Sequence, residues 1–202
     1  GAGKSTLLRT LAGLQPVLGG SVSISEHNLA TLTPNERAKL MAMVLTENQS
    51  METTTVGEVV ALGRYPYLSF LGGLTEQDQA LIDSRLCQMG INANRLYNAL
   101  SDGEKQRVLI AKALVQQTPL ILLDEPTAHL DLPSRIRTMM LLRSLAHDEH
   151  KCIVISTHEL DLALRTADTI WLMTDRLREG DPQLIKPDIC QAFGLAELGY
   201  RL

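Results

Sequence analysis

Asp124 and Glu125 stand side by side at the end of an apolar run, Leu120-Ile121-Leu122-Leu123, with Pro126 directly behind them. Adjacent carboxylates can divide two tasks, one carrying a metal ion and the other taking a proton from water. The pair alone would equally suit the opening of a solvated turn. A second group with chemistry lies at the start of the chain, Gly1-Ala2-Gly3-Lys4-Ser5-Thr6. It matches the back half of the phosphate-loop pattern G-x-x-x-x-G-K-[ST]. There glycines let backbone N–H groups close on phosphate oxygens, Lys4 bridges the β- and γ-phosphates, and Ser5 can ligate Mg²⁺. Gly1, Ala2, Gly3, Lys4, Ser5 and Thr6 are thus the expected nucleotide-binding residues, and a downstream strand ending in Asp-Glu points to hydrolysis of ATP or GTP.

These groups can meet only if the chain brings them to one edge of a sheet. Leu120 to Leu123, bounded by Pro119 and Pro126, reads as a strand covered on both faces, and ligands in open α/β sheets bind at the carboxyl ends of strands. The phosphate loop leads into a helix with Leu7, Leu8 and Leu11 on one face and Gly13 as a stop. Ser21 to Ser25 alternates polar and apolar residues, predicting a strand with Glu26-His27-Asn28 as its turn. Capping boxes at Thr33-Pro34-Asn35-Glu36 and Thr55-Val56-Gly57-Glu58 predict helix starts, with a strand from Met41 to Leu45 between them and a loop at residues 48–55. Helices follow from Val56 to Arg64, from Thr75 to Met89, and from the capping box Ser101-Asp102-Gly103-Glu104 to Thr118-Pro119. A Tyr65-Pro66-Tyr67 break and a turn at Gly72-Gly73 separate the first two. Beyond Pro126, a helix from Pro133 to His147, a strand Cys152 to Ser156, a helix Glu159 to Ala167 and a strand Thr169 to Met173 alternate as in a doubly wound α/β sheet.

The 202 residues suit one domain with a sizeable core, and 45% apolar content is ordinary for a globular chain. A net charge of -4 gives no electrostatic footprint for nucleic acid. No run approaches the roughly 18 apolar residues of a membrane span, so no direct membrane insertion is expected. Cys87, Cys152 and Cys190 are too far apart for a zinc site or a disulfide framework and are expected to be buried and reduced.

Leu100-Ser101-Asp102-Gly103-Glu104-Lys105-Gln106-Arg107 resembles the signature of ABC-transporter ATPases, usually written LSGGQ with a following basic residue. The resemblance covers essentially the whole chain. It takes in the phosphate loop at Gly1 to Thr6, the strand ending at Asp124, Glu125 behind it, a D-loop at Ala128-His129-Leu130-Asp131 and a switch histidine at His158. It implies an α/β P-loop NTPase fold, an ABC ATPase core with a mainly parallel sheet plus a helical subdomain at about residues 50–115, all within one domain. In that family Glu125 is the general base, Asp124 holds Mg²⁺ through its water shell, and His158 bonds the γ-phosphate. Ser101 and Gly103 bind the γ-phosphate held by the opposite subunit, and Asp131 shapes the interface, so that two ATP molecules lie in a head-to-tail homodimer.

Three departures stand out. Asp102 and Glu104 replace the usual glycine and glutamine of the signature, and acids beside a bound phosphate would repel it unless they point away. In the Q-loop, Glu47 stands where the family has glutamine, with Gln49 as the alternative; a glutamate there could still ligate Mg²⁺ and serve the catalytic site. The segment Ala61-Leu62-Gly63-Arg64-Tyr65-Pro66-Tyr67-Leu68-Ser69, with Gly72 shortly after, resembles the GRxPxxS stretch of ATPases serving iron-siderophore, haem and vitamin B12 importers, although its tyrosines could equally pack the helices. The resemblance thus implies an ATP- and Mg²⁺-dependent subunit on integral-membrane permeases, peripheral at the cytoplasmic face of the inner (plasma) membrane. A soluble ABC-type DNA repair ATPase shares the catalytic motifs but carries long coiled-coil or zinc insertions, for which residues 47–100 are too short. A non-hydrolysing nucleotide-binding module remains the other alternative. Because Gly1 falls inside the loop, the chain is expected to be N-terminally truncated, without an adenine-stacking aromatic and without the family's strand beside the Asp124 strand. Losing about four large apolar side chains removes about 10 kcal/mol, so the chain as given is expected to be inactive and not to fold cooperatively.

Overall fold

The computed structural model describes residues 3–45, 53–68 and 72–194. Helix α1, Lys4–Leu11, leaves the phosphate loop and is followed by two short strands, β1 (Ser23–Ile24) and β2 (His27–Asn28), paired antiparallel. The turn between them is Ser25-Glu26, both at positive φ of 46° and 68°, as a two-residue hairpin loop requires. The expected turn at Glu26-His27-Asn28 is therefore displaced, since His27 and Asn28 form the returning strand.

Helix α2 (Pro34–Leu40) runs into strand β3 (Met41–Val44). Between β3 and the next sheet strand the described chain is helical, with α3 (Val56–Ala61), α4 (Glu76–Met89) and α5 (Asp102–Val115). Thr33, Thr55, Thr75 and Ser101 each accept a bond from the N3 amide, and the N3 carboxylate accepts one from the cap's own amide, so four helices start on reciprocal capping boxes. After α3 the backbone does not break at Tyr65-Pro66-Tyr67 but tightens into a 3₁₀ helix over Leu62–Tyr67. Strand β4 (Leu120–Asp124), helix α6 (Leu132–Asp148) and strand β5 (Cys152–Ser156) complete the parallel sheet, whose order is β3-β4-β5.

Strand β4 is covered on both faces. Ile121 and Leu123 pack into the cluster formed with α3, α4 and α5, while Leu122 meets Leu8, Leu29 and Met41 on the other side. Its edges are also filled, with Leu123 opposite Val44 in β3 and Asp124 opposite Ser156 in β5. The place beside β4 expected for a strand entering the phosphate loop is thus taken by β5. All three strands point the same way, so Val44, Asp124 and Ser156 end at one edge.

Helix α7 (Leu160–Thr166) leads to β6 (Ile170–Met173), which does not extend this sheet. It pairs antiparallel with β7 (Leu177–Gly180), and Leu172 packs against Ile185 and Ile189 of helix α8 (Pro182–Ala192). A hairpin with one face on a helix and Trp171 half-exposed on the other satisfies the same alternation as a further parallel strand. The cysteines are free but not buried: Cys87 and Cys152 are exposed and Cys190 partly so. Cys152 opens β5, at the end of the strand remote from Ser156.

The segment carrying Gly63 and Arg64 is used for packing. A Cβ on Gly63 would lie 2.2 Å from the Lys112 carbonyl oxygen and 2.6 Å from Val115 Cγ2, so α5 closes on bare backbone. Arg64 is buried, donates to Asp78 Oδ1 at 2.7 Å, to the Val115 carbonyl at 2.8 Å and to Gln117 at 2.9 Å, and stacks on the Tyr67 ring. Arg64→Ala is expected to cost about 3–5 kcal/mol in urea unfolding, because Asp78 stays buried without its cation. Tyr65→Ala, at a residue 74% exposed, is expected to change stability by no more than about 0.5 kcal/mol. A smaller loss for Arg64 than for Tyr65 would contradict this account.

Candidate functional site

The start of α1 is shaped by Gly3, whose φ of 82° is open to glycine and strained for other residues. The first turn of α1 holds no acid, so its N–H groups and positive dipole end remain suited to an anion. From that turn Ser5 donates its hydroxyl to Asp124 Oδ1 at 3.0 Å, and Lys4 Nζ lies 3.5 Å from Glu125 Oε1. Thr6 is exposed on the same turn, while Gly1 and Ala2 lie outside the described residues.

Glu125 is bracketed by two basic groups. Its Oε2 is 2.5 Å from His158 Nδ1, opposite the contact to Lys4. His158 follows β5 closely and is exposed, so its ring reaches back over the strand end. Its Nε2 lies 3.6 Å from Glu159 Oε1, which in turn pairs with Arg135 Nη1 at 2.5 Å. Arg135 Nε donates to the Leu130 carbonyl at 2.7 Å, so this chain of charges reaches the segment that ends in Asp131.

Ser156 was not among the residues singled out from the sequence. Buried at the end of β5, it donates to Asp124 Oδ1 at 2.5 Å, while its hydroxyl and carbonyl oxygens accept from the Glu125 amide at 3.0 and 3.1 Å. Glu125 has φ of 51°, a left-handed conformation unfavourable for a residue with a Cβ, and the shared amide bonds hold it there. The available signal was a hydroxyl ending the apolar run Cys152 to Ile155, two positions before His158.

The remaining site residues gather at the starts of α5 and α6. Ser101 caps α5 and Asp131 caps α6 by accepting from the Ser134 amide at 3.1 Å. The Ser134 hydroxyl, and then its amide, hold the Asp131 carboxyl below its ordinary range. Gly103 lets the helices approach, since a Cβ there would lie 3.3 Å from Ser134 Oγ. Glu104 turns back over Ser101 and pairs with Arg95, whereas Asp102 points into solvent near Lys105. Glu47 and its alternative Gln49 lie outside the described residues.

Among the described residues no three His, Cys, Asp or Glu side chains form a metal cage. A hydroxyl and a carboxylate converging at 3.0 Å beside an anion-ready helix end fit Mg²⁺, which keeps several waters and completes its shell with phosphate oxygens. No helix among the described residues is long and apolar enough to cross a membrane.

The ABC transporter family model matches residues 1–128. A cobalamin import ATP-binding protein of Halobacterium salinarum is 38% identical over 95% of this chain and 49% of its own. A petrobactin import ATP-binding protein of Bacillus anthracis is 37% identical over 91% of this chain and 68% of its own. The chain therefore spans about half to two thirds of these relatives' lengths. A dimeric ATP-binding cassette solved in a post-hydrolysis state with ADP and Pi superposes with a TM-score of 0.73 at 28% identity, covering 90% of this chain and 81% of that one.

Ser156→Ala is expected to destabilise the protein by about 1–3 kcal/mol in denaturant unfolding, since it removes a buried partner of Asp124 and one of the Glu125 amide. Ser156→Thr keeps the hydroxyl and should recover most of that loss. The Glu104 carboxyl is held at about 2, against an ordinary 4.5, by the Ser101 backbone bond first and then by Arg95. A depressed folded value stabilises above the ordinary one, and that contribution disappears as pH falls through about 2. Carboxyl NMR should place the Glu104 midpoint near 2, with the stability it adds at the start of α5 falling progressively from about pH 4.5 down to that midpoint. A midpoint near 4.5 would contradict the pairing.

Proposed function

The chain belongs to the ABC transporter family of ATP-binding proteins, and from that membership we propose that it binds and hydrolyses ATP to power an importer. The observation that carries the reading is the convergence of Lys4, Ser5, Asp124, Glu125 and His158 where α1 begins and the parallel strands end. Lys4 takes the β- and γ-phosphates as they settle on the start of α1, which draws its charge away from Glu125. Oε1 of Glu125 is then available to accept a proton from the water that attacks the γ-phosphorus, while His158 holds Oε2. The bond to the leaving ADP oxygen breaks as that water adds. Ser5 and Asp124 are the residues that would hold Mg²⁺, which would supply positive charge to the phosphate oxygens.

Ser101 and Gly103 are assigned to the γ-phosphate bound by a second copy, and Asp131 to the surface between the copies, giving a head-to-tail homodimer. The dimeric cassette with ADP and Pi supports the pairing of two copies. Glu47, or Gln49, is assigned to relaying between the site and the permease. The named relatives favour a cobalamin or iron-siderophore cargo, with haem in the same class of chelate, and the segment from Gly63 to Leu68 agrees with this. Cargo selection itself falls to the permease. The subunit is placed on that permease, at the cytoplasmic face of the membrane.

The test is ATP turnover of the intact subunit reconstituted with its permease. Glu125→Gln should lower turnover by about two to four orders of magnitude while MgATP binding is retained. Near-normal turnover in the variant would remove Glu125 from the role of base. Stimulation by DNA in place of the permease would move the chain to the repair class.

A further inference from the structure

The acidic signature poses an electrostatic problem that the structure answers locally. Glu104 Oε2 accepts from the Ser101 amide at 2.9 Å and from the Ser101 hydroxyl at 3.0 Å. A phosphate oxygen bonded to that same hydroxyl would sit about 3 Å from it, within a few ångströms of the carboxylate. At such distances like charges repel strongly, and the first N–H groups of α5 would have to overcome the repulsion. The other oxygen, Oε1, is held by Arg95 Nη1 at 2.5 Å, and Arg95 Nη2 reaches the Ala99 carbonyl at 3.4 Å.

Arg95 is itself fixed in place. Its carbonyl accepts from the Val56 amide at 2.9 Å, and the Thr55–Leu96 bridge pins the next residue to the start of α3. With the Arg95 side chain 43% exposed, the ion pair contributes little to stability. What it changes is the field at the start of α5. Asp102, the other signature acid, is 66% exposed with Lys105 Nζ at 3.8 Å and adds less to that field.

We propose that Arg95 is a positioning residue for the nucleotide sandwich: it pins the outer oxygen of the Glu104 carboxylate, which the capping box holds over Ser101, and cancels its charge, so that an acidic signature can receive the partner copy's γ-phosphate. This rests on the proposed ATPase dimer. The consequence is specific to the second contact of the nucleotide. Loss of Arg95 weakens closure of two copies over ATP and leaves each copy's own phosphate loop competent. The same loss is harmless once Glu104 carries no charge.

The experiment uses the intact subunit in a Glu125→Gln background, with MgATP-driven association measured by sedimentation and binding to single copies measured with a fluorescent ATP analogue at low subunit concentration. Arg95→Ala is expected to raise the ATP needed for half-maximal association roughly tenfold, with analogue binding retained. High salt should narrow the deficit by screening the carboxylate, and Arg95→Lys should retain most of the association. Arg95→Ala combined with Glu104→Gln should associate like Glu104→Gln alone. Equal association of Arg95→Ala and its parent, or an unrelieved deficit in the combined variant, overturns the inference. Failure of the parent to bind or associate with MgATP would instead overturn the ATPase dimer on which it rests. Should Arg95→Ala not fold, the Arg95→Lys and Glu104→Gln comparison at low and high salt decides by the same criteria.

Discussion

Everything chemical in this protein depends on β4 having no free side. Its two faces are buried by apolar clusters and its two edges are bonded to β3 and β5, so the polar groups at its end can only lie along the sheet's carboxyl edge. The parallel register then brings Ser156 opposite Asp124, and α1 packs so that Ser5 arrives at the same carboxylate oxygen. Two hydroxyls from distant parts of the chain thus fix one carboxylate, and the neighbouring residue inherits the turn. Glu125 takes a left-handed backbone because the sheet ends there, and Ser156 supplies the bonds that make this affordable.

How far the sequence carries the reader depends on the range of the interaction. Capping boxes act between a cap and its third residue, so Thr33, Thr55 and Ser101 are legible as helix starts without knowing anything else. The apolar run of β4 is legible for a similar reason, since covering on both faces needs a continuous run. Sheet membership is different. The residues of β6 satisfy one-sided burial against α8 as readily as a place in the parallel sheet, and only the distant partner decides. Ser156 and Arg95 were missed on the same ground, because each acquires its meaning from a residue on another element. Their types are common, and the bonds that distinguish them form only in the fold.

The Gly63 to Tyr67 segment shows how a stretch resembling an importer motif can be explained first by packing. Gly63 admits the α5 backbone, Arg64 joins α4 to the end of α5, and the Tyr67 hydroxyl donates to the Gln116 carbonyl at 2.9 Å. Gln116 then donates to the Ala38 and Met41 carbonyls at the entrance to β3. The helices between β3 and β4 are therefore tied to the sheet at the end opposite the carboxylates. Tyr65 takes no part in this and remains on the surface, where a partner can reach it.

The charges around Glu125 follow from the same economy of placement. Lys4 and His158 each face one of its oxygens, so the carboxylate is held by two donors and the ammonium is partly neutralised. On the proposed function an arriving phosphate would compete with Glu125 for Lys4, with the N–H groups at the start of α1 beside it to bind the anion. On that reading binding and activation are one exchange of partners, Lys4 passing from the carboxylate to the phosphate. His158 holds Glu125 by its other oxygen, and through Glu159 and Arg135 it is linked to the turn that ends at Asp131.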